Sequence, residues 1–418
     1  MKKFVSFFLI TVMLFSSAAV FNSAAEFKYT DIASEEEWAL LDLINRYRAE
    51  NEKGIVTMLV GLQDASGIRS KELLTNLSHY RPDGNPWHYI LGENGIEYTT
   101  DSFEIISSNY SDPESLIRAL SQSPVNAEKL LGDFSHIGIG YSASDNTANS
   151  SSFCIIGIRC SYKSEYTLCN SEGIHLNYGD NTEKIDVTLR SSCSHGVAYM
   201  KVLDSMIRGY DPEAIGTKKI SVRHDGAYLP FYIVNDYTDS KPGAWYYDAV
   251  LSVTDNGYFT GTGKGEFNVK GEMTRAMFVT VLGRVAGVNV SEYEGSSFPD
   301  VKAEQWYSPY VEWAAKSGVV QGDNKGRFNP NNPITRQEIC VVLCNYIDKN
   351  AIELEQKNAA VEFADEDKIS DWALSSVTYI QTRGIVSGNN KGQFMPRNNA
   401  SRAEVAVIVD NFSALLPK

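Results

Sequence analysis

GTGKGEF at 261–267, GDNKGRF at 322–328 and GNNKGQF at 388–394 are one phrase written three times. Reading outward from each copy, a tryptophan stands 16 residues before the first glycine: Trp245 before Gly261, Trp306 before Gly322, Trp372 before Gly388. Further upstream is an aromatic-x-Asp element ending in Asp239, Asp300 or Asp365, and 30 residues after each tryptophan is an arginine, Arg275, Arg336 or Arg402. Spacings held three times make the C-terminal 180 or so residues an array of supersecondary units that stack on one another.

Within one unit, Trp306, Tyr310 and Trp313 share a helical face that Gly318 ends. A second helix follows, apolar at i, i+3, i+4 and i+7: Phe278, Val281, Leu282, Val285 in the first copy, Ile339, Val342, Leu343, Tyr346 in the second, Val405, Ile408, Val409, Phe412 in the third. Its start reads TRAM, TRQE or SRAE, so Thr335 with Glu338 and Ser401 with Glu404 form capping boxes, while Met277 breaks the first. A helix start with an arginine beside it offers free N–H groups and a guanidinium fork, a combination that suits a carboxylate or phosphate. The plainer alternative pairs each arginine with the Asp of the aromatic-x-Asp element, but three copies at fixed spacing favour ligand binding.

These segments resemble three S-layer homology domains, at 237–290, 296–350 and 361–416. The resemblance implies an all-α, pseudo-threefold bundle that holds a protein noncovalently on the bacterial cell wall through acidic, often pyruvylated, secondary polysaccharide. It makes Arg275, Arg336 and Arg402, the three tryptophans, the three aspartates and Gly261, Gly322 and Gly388 the expected carbohydrate-binding set, with the first site weakened by Met277.

Residues 165–236 alternate as strands, with Ile220 and Val222 on one face, Leu229, Phe231 and Ile233 on the partner, and Asp225-Gly226 as the hairpin turn. The stretch GYDPEAIGTKKISVRHDGAYLPFYIV resembles the last strands of a bacterial immunoglobulin-like domain, which implies a β-sandwich spacer. His175 and His195 have no second ligand at metal-binding spacing and read as exposed or structural.

In the N-terminal third, Ser34 and Glu37 open a helix whose face carries Leu40, Leu43, Ile44 and Tyr47, a second helix ends before SHYRPDG (78–84), and SHIGIGY (135–141) and FCIIGI (153–158) read as strands. Helices first and strands after predict an α+β unit. Together these motifs resemble a bacterial member of the CAP superfamily of cysteine-rich secretory proteins, over about 31–160. That family sets two histidines and a glutamate around a cavity, a set able to hold a divalent metal or move a proton. His79 matches the first histidine and Glu104 the glutamate, although GEN also occurs at 92–94. Asn126 stands where the second histidine would be, and an amide neither titrates near neutrality nor ligates zinc well. The expectation is a degenerate CAP domain with an unknown ligand, no metal and no cofactor, His79 serving to hold loops together through Glu104. A surface hydrolase using His79 and Glu104 as its catalytic pair, or a structural S-layer component, are the alternatives.

The remaining features fix the compartment. Lys2 and Lys3 precede an apolar run from Phe4 to Phe15 and the small residues Ser23, Ala24 and Ala25, the layout of a secretory signal over 1–25. Its removal takes the formal charge from −14 to −16, which argues against nucleic acid as partner, and no later run reaches the roughly 20 apolar residues of a membrane span. Six cysteines in 418 residues are too few for a disulfide scaffold. Cys340 and Cys344 fall on an apolar helix face as thiols, and Cys154 with Cys160, or Cys169 with Cys193, are candidate pairs.

Overall fold

The computed structural model describes residues 28–110, 112–145, 147, 149–160 and 165–417; the signal-like stretch 1–25 lies outside the described residues. In chain order the elements are α1 (Glu35–Glu50), β1 (Thr57–Leu59), α2 (Val60–Leu73), α3 (Tyr89–Glu93), β2 (Phe103–Ser108), α4 (Pro113–Gln122), α5 (Pro124–Leu130), β3 (His136–Ala143), β4 (Ser151–Ile158), β5 (Glu165–Cys169), β6 (Ile174–Asn177), β7 (Thr188–Cys193) and β8 (Gly196–Lys201). There follow β9 (Ile207–Arg208), β10 (Gly216–His224), β11 (Ala227–Asp236), α6 (Tyr247–Asp255), α7 (Arg275–Val285), α8 (Ser308–Lys316), α9 (Arg336–Lys349), α10 (Asp371–Thr382) and α11 (Arg402–Ser413). They divide into two compact units, one made of residues up to 170 with 188–201, the other of 171–187 with 202–418. Among the described residues no helix is long and apolar enough to cross a membrane.

The first unit is a seven-stranded sheet in the order β2-β4-β3-β1-β8-β7-β5, covered by helices. Its packing begins with two glycines of β3. A Cβ at Gly138 would fall 2.1 Å from the Leu62 carbonyl oxygen, and one at Gly140 1.9 Å from that of Ser66, so only the bare strand lets α2 lie this close. Helix α2 is thereby pressed on the sheet through Leu62 and Ala65, both fully buried, and its far turn carries Arg69 over β2. Helix α1 has the expected capping box from Ser34 and Glu37, and it buries Leu40, Leu41 and Ile44; Leu43 and Tyr47 lie at the margin.

Residues 165–236 form no sandwich of their own. β5, β7 and β8 extend the sheet of the first unit, while β6, β11, β10 and β9 make a separate four-stranded sheet in the second. The expected boundary near 160–165 is therefore corrected: the chain leaves the first unit after 170, returns for 188–201 and leaves again. The hairpin within this stretch does form, β10 pairing with β11 across Asp225 and Gly226, whose φ angles of 45° and 78° suit that turn.

The three repeats share one hydrophobic core, from Tyr237 to Phe412. The first helix of each copy packs on the second helix of the copy before it: α8 on α7, α10 on α9, and α6 on α11, which closes a ring. Bridges between Thr274 and Pro333, Thr335 and Asn399, and Glu272 and Ser401 repeat the same cyclic order.

Candidate functional site

The ring of repeats is stitched at the helix starts that the sequence singled out. The N–H groups of Arg275 and Ala276 bond the carbonyls of Asn332 and Pro330, those of Arg336 and Gln337 bond Asn398 and Pro396, and those of Arg402 and Ala403 bond Gly271 and Val269. The third N–H of each helix is capped by Thr274, Thr335 or Ser401. The expected free helix terminus is thus corrected: its donors are already saturated by the next repeat.

The arginine side chains follow the same path. Nε of Arg275, Arg336 and Arg402 donates to the carbonyls of Phe328, Phe394 and Phe267 at 2.9, 2.8 and 2.7 Å. Each guanidinium lies over the ring of that phenylalanine, at 5.0, 5.0 and 4.7 Å from its centre. The aspartates shape the receiving loop: Asp239 accepts from the N–H groups of Phe267 and Val269, Asp300 from Phe328 and Asn329, Asp365 from Phe394 and Met395. The first glycine of each phrase lies against the aromatic-x-Asp ring, where a Cβ would come within 2.8, 3.0 or 3.2 Å of Tyr237, Phe298 or Phe363. One loop, its acid and its glycine exist to hold the arginine of the preceding copy.

What these seams leave open is a set of three pockets. One, of about 240 Å³, takes Arg402 from the third repeat, Gly261 from the first and Trp306 from the second. Another, of about 460 Å³, takes Arg336, Gly388 and Trp245. The third, of about 290 Å³, takes Arg275 and Gly322. Trp245, Trp306 and Trp372 are 68%, 57% and 58% exposed, unusual for tryptophan and suited to stacking on a ligand.

The pockets differ in charge. Nη1 of Arg336 meets Glu404 and Nη1 of Arg275 meets Glu338, each at 3.3 Å. In the Arg402 pocket the matching position is Met277, and Arg284 also lines the wall, giving two guanidinium groups and no carboxylate. Burial, the main cause, pushes the Arg402 guanidinium below the usual arginine range. The expected effect of Met277 therefore moves: it changes the Arg402 site rather than the Arg275 site, and Thr274 still caps the Met277 N–H at 3.2 Å.

In the first unit the structure brings His79 and Glu104 together, Nδ1 to Oε2 at 2.7 Å; Glu93 of the literal GEN pairs with Arg81 instead. Glu104 is 2% exposed on β2, and its other oxygen receives Nε of Arg69 at 2.8 Å and the Cys154 thiol at 3.5 Å. Arg69 also bonds Glu72 and the Ser78 carbonyl, so it ties α2 to the loop that bears His79. Asn126 lies on α5, one turn before Lys129, whose ammonium bonds the Glu104 carbonyl. Among the described residues no third His, Cys, Asp or Glu completes a metal set around His79 and Glu104. Burial, the main cause, holds the Cys154 thiol well above its usual range, which favours the protonated form.

Three segments, 236–277, 297–340 and 362–406, match the family model described as the S-layer homology domain. The chain carries three S-layer homology domains. Over 194 residues it is 30% identical to an amylopullulanase of Thermoanaerobacterium thermosulfurigenes, a match that covers 46% of this chain and 10% of that one. It is 30% identical over 179 residues to a surface-layer 125 kDa protein of Lysinibacillus sphaericus, covering 42% of this chain and 14% of that one. The chain thus spans a small fraction of those relatives' length. Among solved structures, an extracellular protein containing a SCP domain from Bacillus anthracis aligns with 30% of this chain and 40% of its own, at 19% identity and a TM-score of 0.26. With its S-layer homology domains the chain belongs at the bacterial cell surface.

The S-layer homology repeats announced their arginines, tryptophans and glycines through spacing, because every copy repeats the same local duties. Arg69 and Arg284 went unseen, and Cys154 was read as a candidate partner of Cys160 rather than of Glu104. Each of the three acquires its role only when a distant segment is folded against it.

Proposed function

We propose that this is a secreted surface protein held noncovalently on an acidic cell-wall polysaccharide by the pockets between its S-layer homology domains, with the N-terminal unit displayed as a CAP-like binding module. The observation that carries the reading is the Arg402 pocket: an exposed tryptophan at its rim, two guanidinium groups in its wall and no acid among its lining residues. A carboxylate-bearing sugar, such as a pyruvylated residue, matches that combination of flat apolar face and anion. The other two pockets each hold an arginine already paired with a glutamate, which lowers their appetite for an anion.

Sedimentation of the full chain with purified cell walls tests this. Met277→Glu gives the Arg402 pocket the acid its siblings have, and wall binding should fall by about 1.5–3 kcal/mol, the worth of a charged hydrogen bond. Trp306→Ala should weaken binding more than Trp372→Ala, because Trp306 lines that pocket. Undiminished wall binding by Met277→Glu would sink the assignment.

The His79 and Glu104 pair is read as scaffolding within the module. Both Glu104 oxygens are engaged by protein groups, and the described residues around it supply neither a third ligand nor an activated nucleophile.

A further inference from the structure

Where β3 begins, β4 has just ended and β7 turns into β8, the first unit gathers His136, Cys160 and Cys193, one ligand atom from each lying within 4.8 Å of the others. We infer that these three side chains form a binding site for a zinc-class divalent cation, with His195 as the fourth ligand. The site shares no residue with the His79 and Glu104 centre.

Four observations converge. His136 is 3% exposed, and its Nε2 is buried without a hydrogen-bond partner, an arrangement that native interiors rarely leave unfilled. Its Nδ1 is fixed by the Ser135 hydroxyl at 2.8 Å, and the same hydroxyl accepts the Cys160 N–H at 2.9 Å, so one residue orients two ligands. His195 Nδ1 lies 3.8 Å from the Cys160 sulfur, on the hairpin turn that also carries Cys193. The two sulfurs and the His136 nitrogen lie close enough to contract onto one ion with metal bonds of roughly 2.0–2.3 Å, and His195, which reaches Cys160 but lies outside that set of three, would complete the tetrahedron by turning its ring inward, a geometry and ligand softness that suit zinc.

The charges balance. Two thiols release two protons as they bind, and two thiolates with two neutral imidazoles leave a divalent ion with no net charge in a half-buried place. The pairing also differs from both sequence candidates: Cys193 lies beside Cys160, and Cys154 is turned to Glu104.

The test uses the full chain, stripped of metal and kept reduced, titrated with Co(II). One equivalent should give thiolate-to-cobalt charge-transfer bands and the strong visible absorption of a tetrahedral centre, both abolished by one equivalent of Zn(II). Cys193→Ser should lose about half of the charge-transfer intensity, one of two thiolates being gone. His195→Ala, a change on a surface turn that spares the interior, should keep the charge transfer and shift the visible bands. Cys169→Ser should bind as the parent chain does. Failure of the reduced chain to give a tetrahedral cobalt spectrum would overturn the site, as would a spectrum indifferent to Cys193→Ser. A Cys160–Cys193 disulfide in protein isolated without reductant would overturn it too, assigning the pair to a redox bond.

Discussion

Glu104 shows how a residue's surroundings, rather than its type, fix its duty. Its carboxylate is buried, and the strongest of its partners is Arg69, equally buried and held by three separate acceptors. Glu104→Gln would strip that guanidinium of its buried counter-charge and leave Glu72 as its one carboxylate, and chemical denaturation of the N-terminal unit should show a loss of about 2–3 kcal/mol. His79→Gln removes a side chain 53% exposed, and the loss should stay below about 1 kcal/mol. Equal losses at both positions would mean that the imidazole, not the guanidinium, keeps Glu104 in place. His79 and Glu104 were legible in the sequence because each sits in a recognisable short motif. Arg69 was not, since a mid-helix arginine usually points to water; only the two glycines of β3, by drawing α2 onto the sheet, turn it inward.

At the scale of elements, local chemistry was read well and distant pairing poorly. The three capping boxes and the Asp225-Gly226 hairpin each depend on residues within four positions of one another, and all are present. The membership of β5, β7 and β8 was hidden, because β8 pairs with β1 across some 140 residues and alternation says nothing about which sheet a strand joins. The contact of α2 with β3 gives a test at this scale. Gly138→Ala would drive a methyl into the Leu62 backbone, which has no side-chain rotamer by which to yield, and stability should drop by about 1–3 kcal/mol. Hydrogen exchange should locate the damage in α2; unchanged protection there would show that the close approach matters little.

Across the whole molecule, the S-layer homology domains were the clearest part of the sequence and yet kept their main relation hidden. Spacing exposed three copies, whereas the handing of each arginine to the next copy is visible only in three dimensions. Because α6 of the first copy packs on α11 of the last, the array is closed, and removing one member should weaken all. A chain ended at 360 should therefore lose the cover that α10 gives α9. Cys340 and Cys344, 0% and 9% exposed in the full chain, should then react with a thiol reagent at once, whereas in the full chain they should react only on unfolding. Burial pushes the Cys344 thiol up to about 11, so near neutrality its protonated state adds to that protection. Slow labelling in the shortened chain would mean that two copies suffice. The ring also bears on inheritance. Gly261 and Met277, Arg275 and Trp245 all come from the first copy but line three different pockets. A gene conversion that overwrote that single copy would rewrite every pocket and complete none, so binding preference in such an array descends through the trio and not through its members.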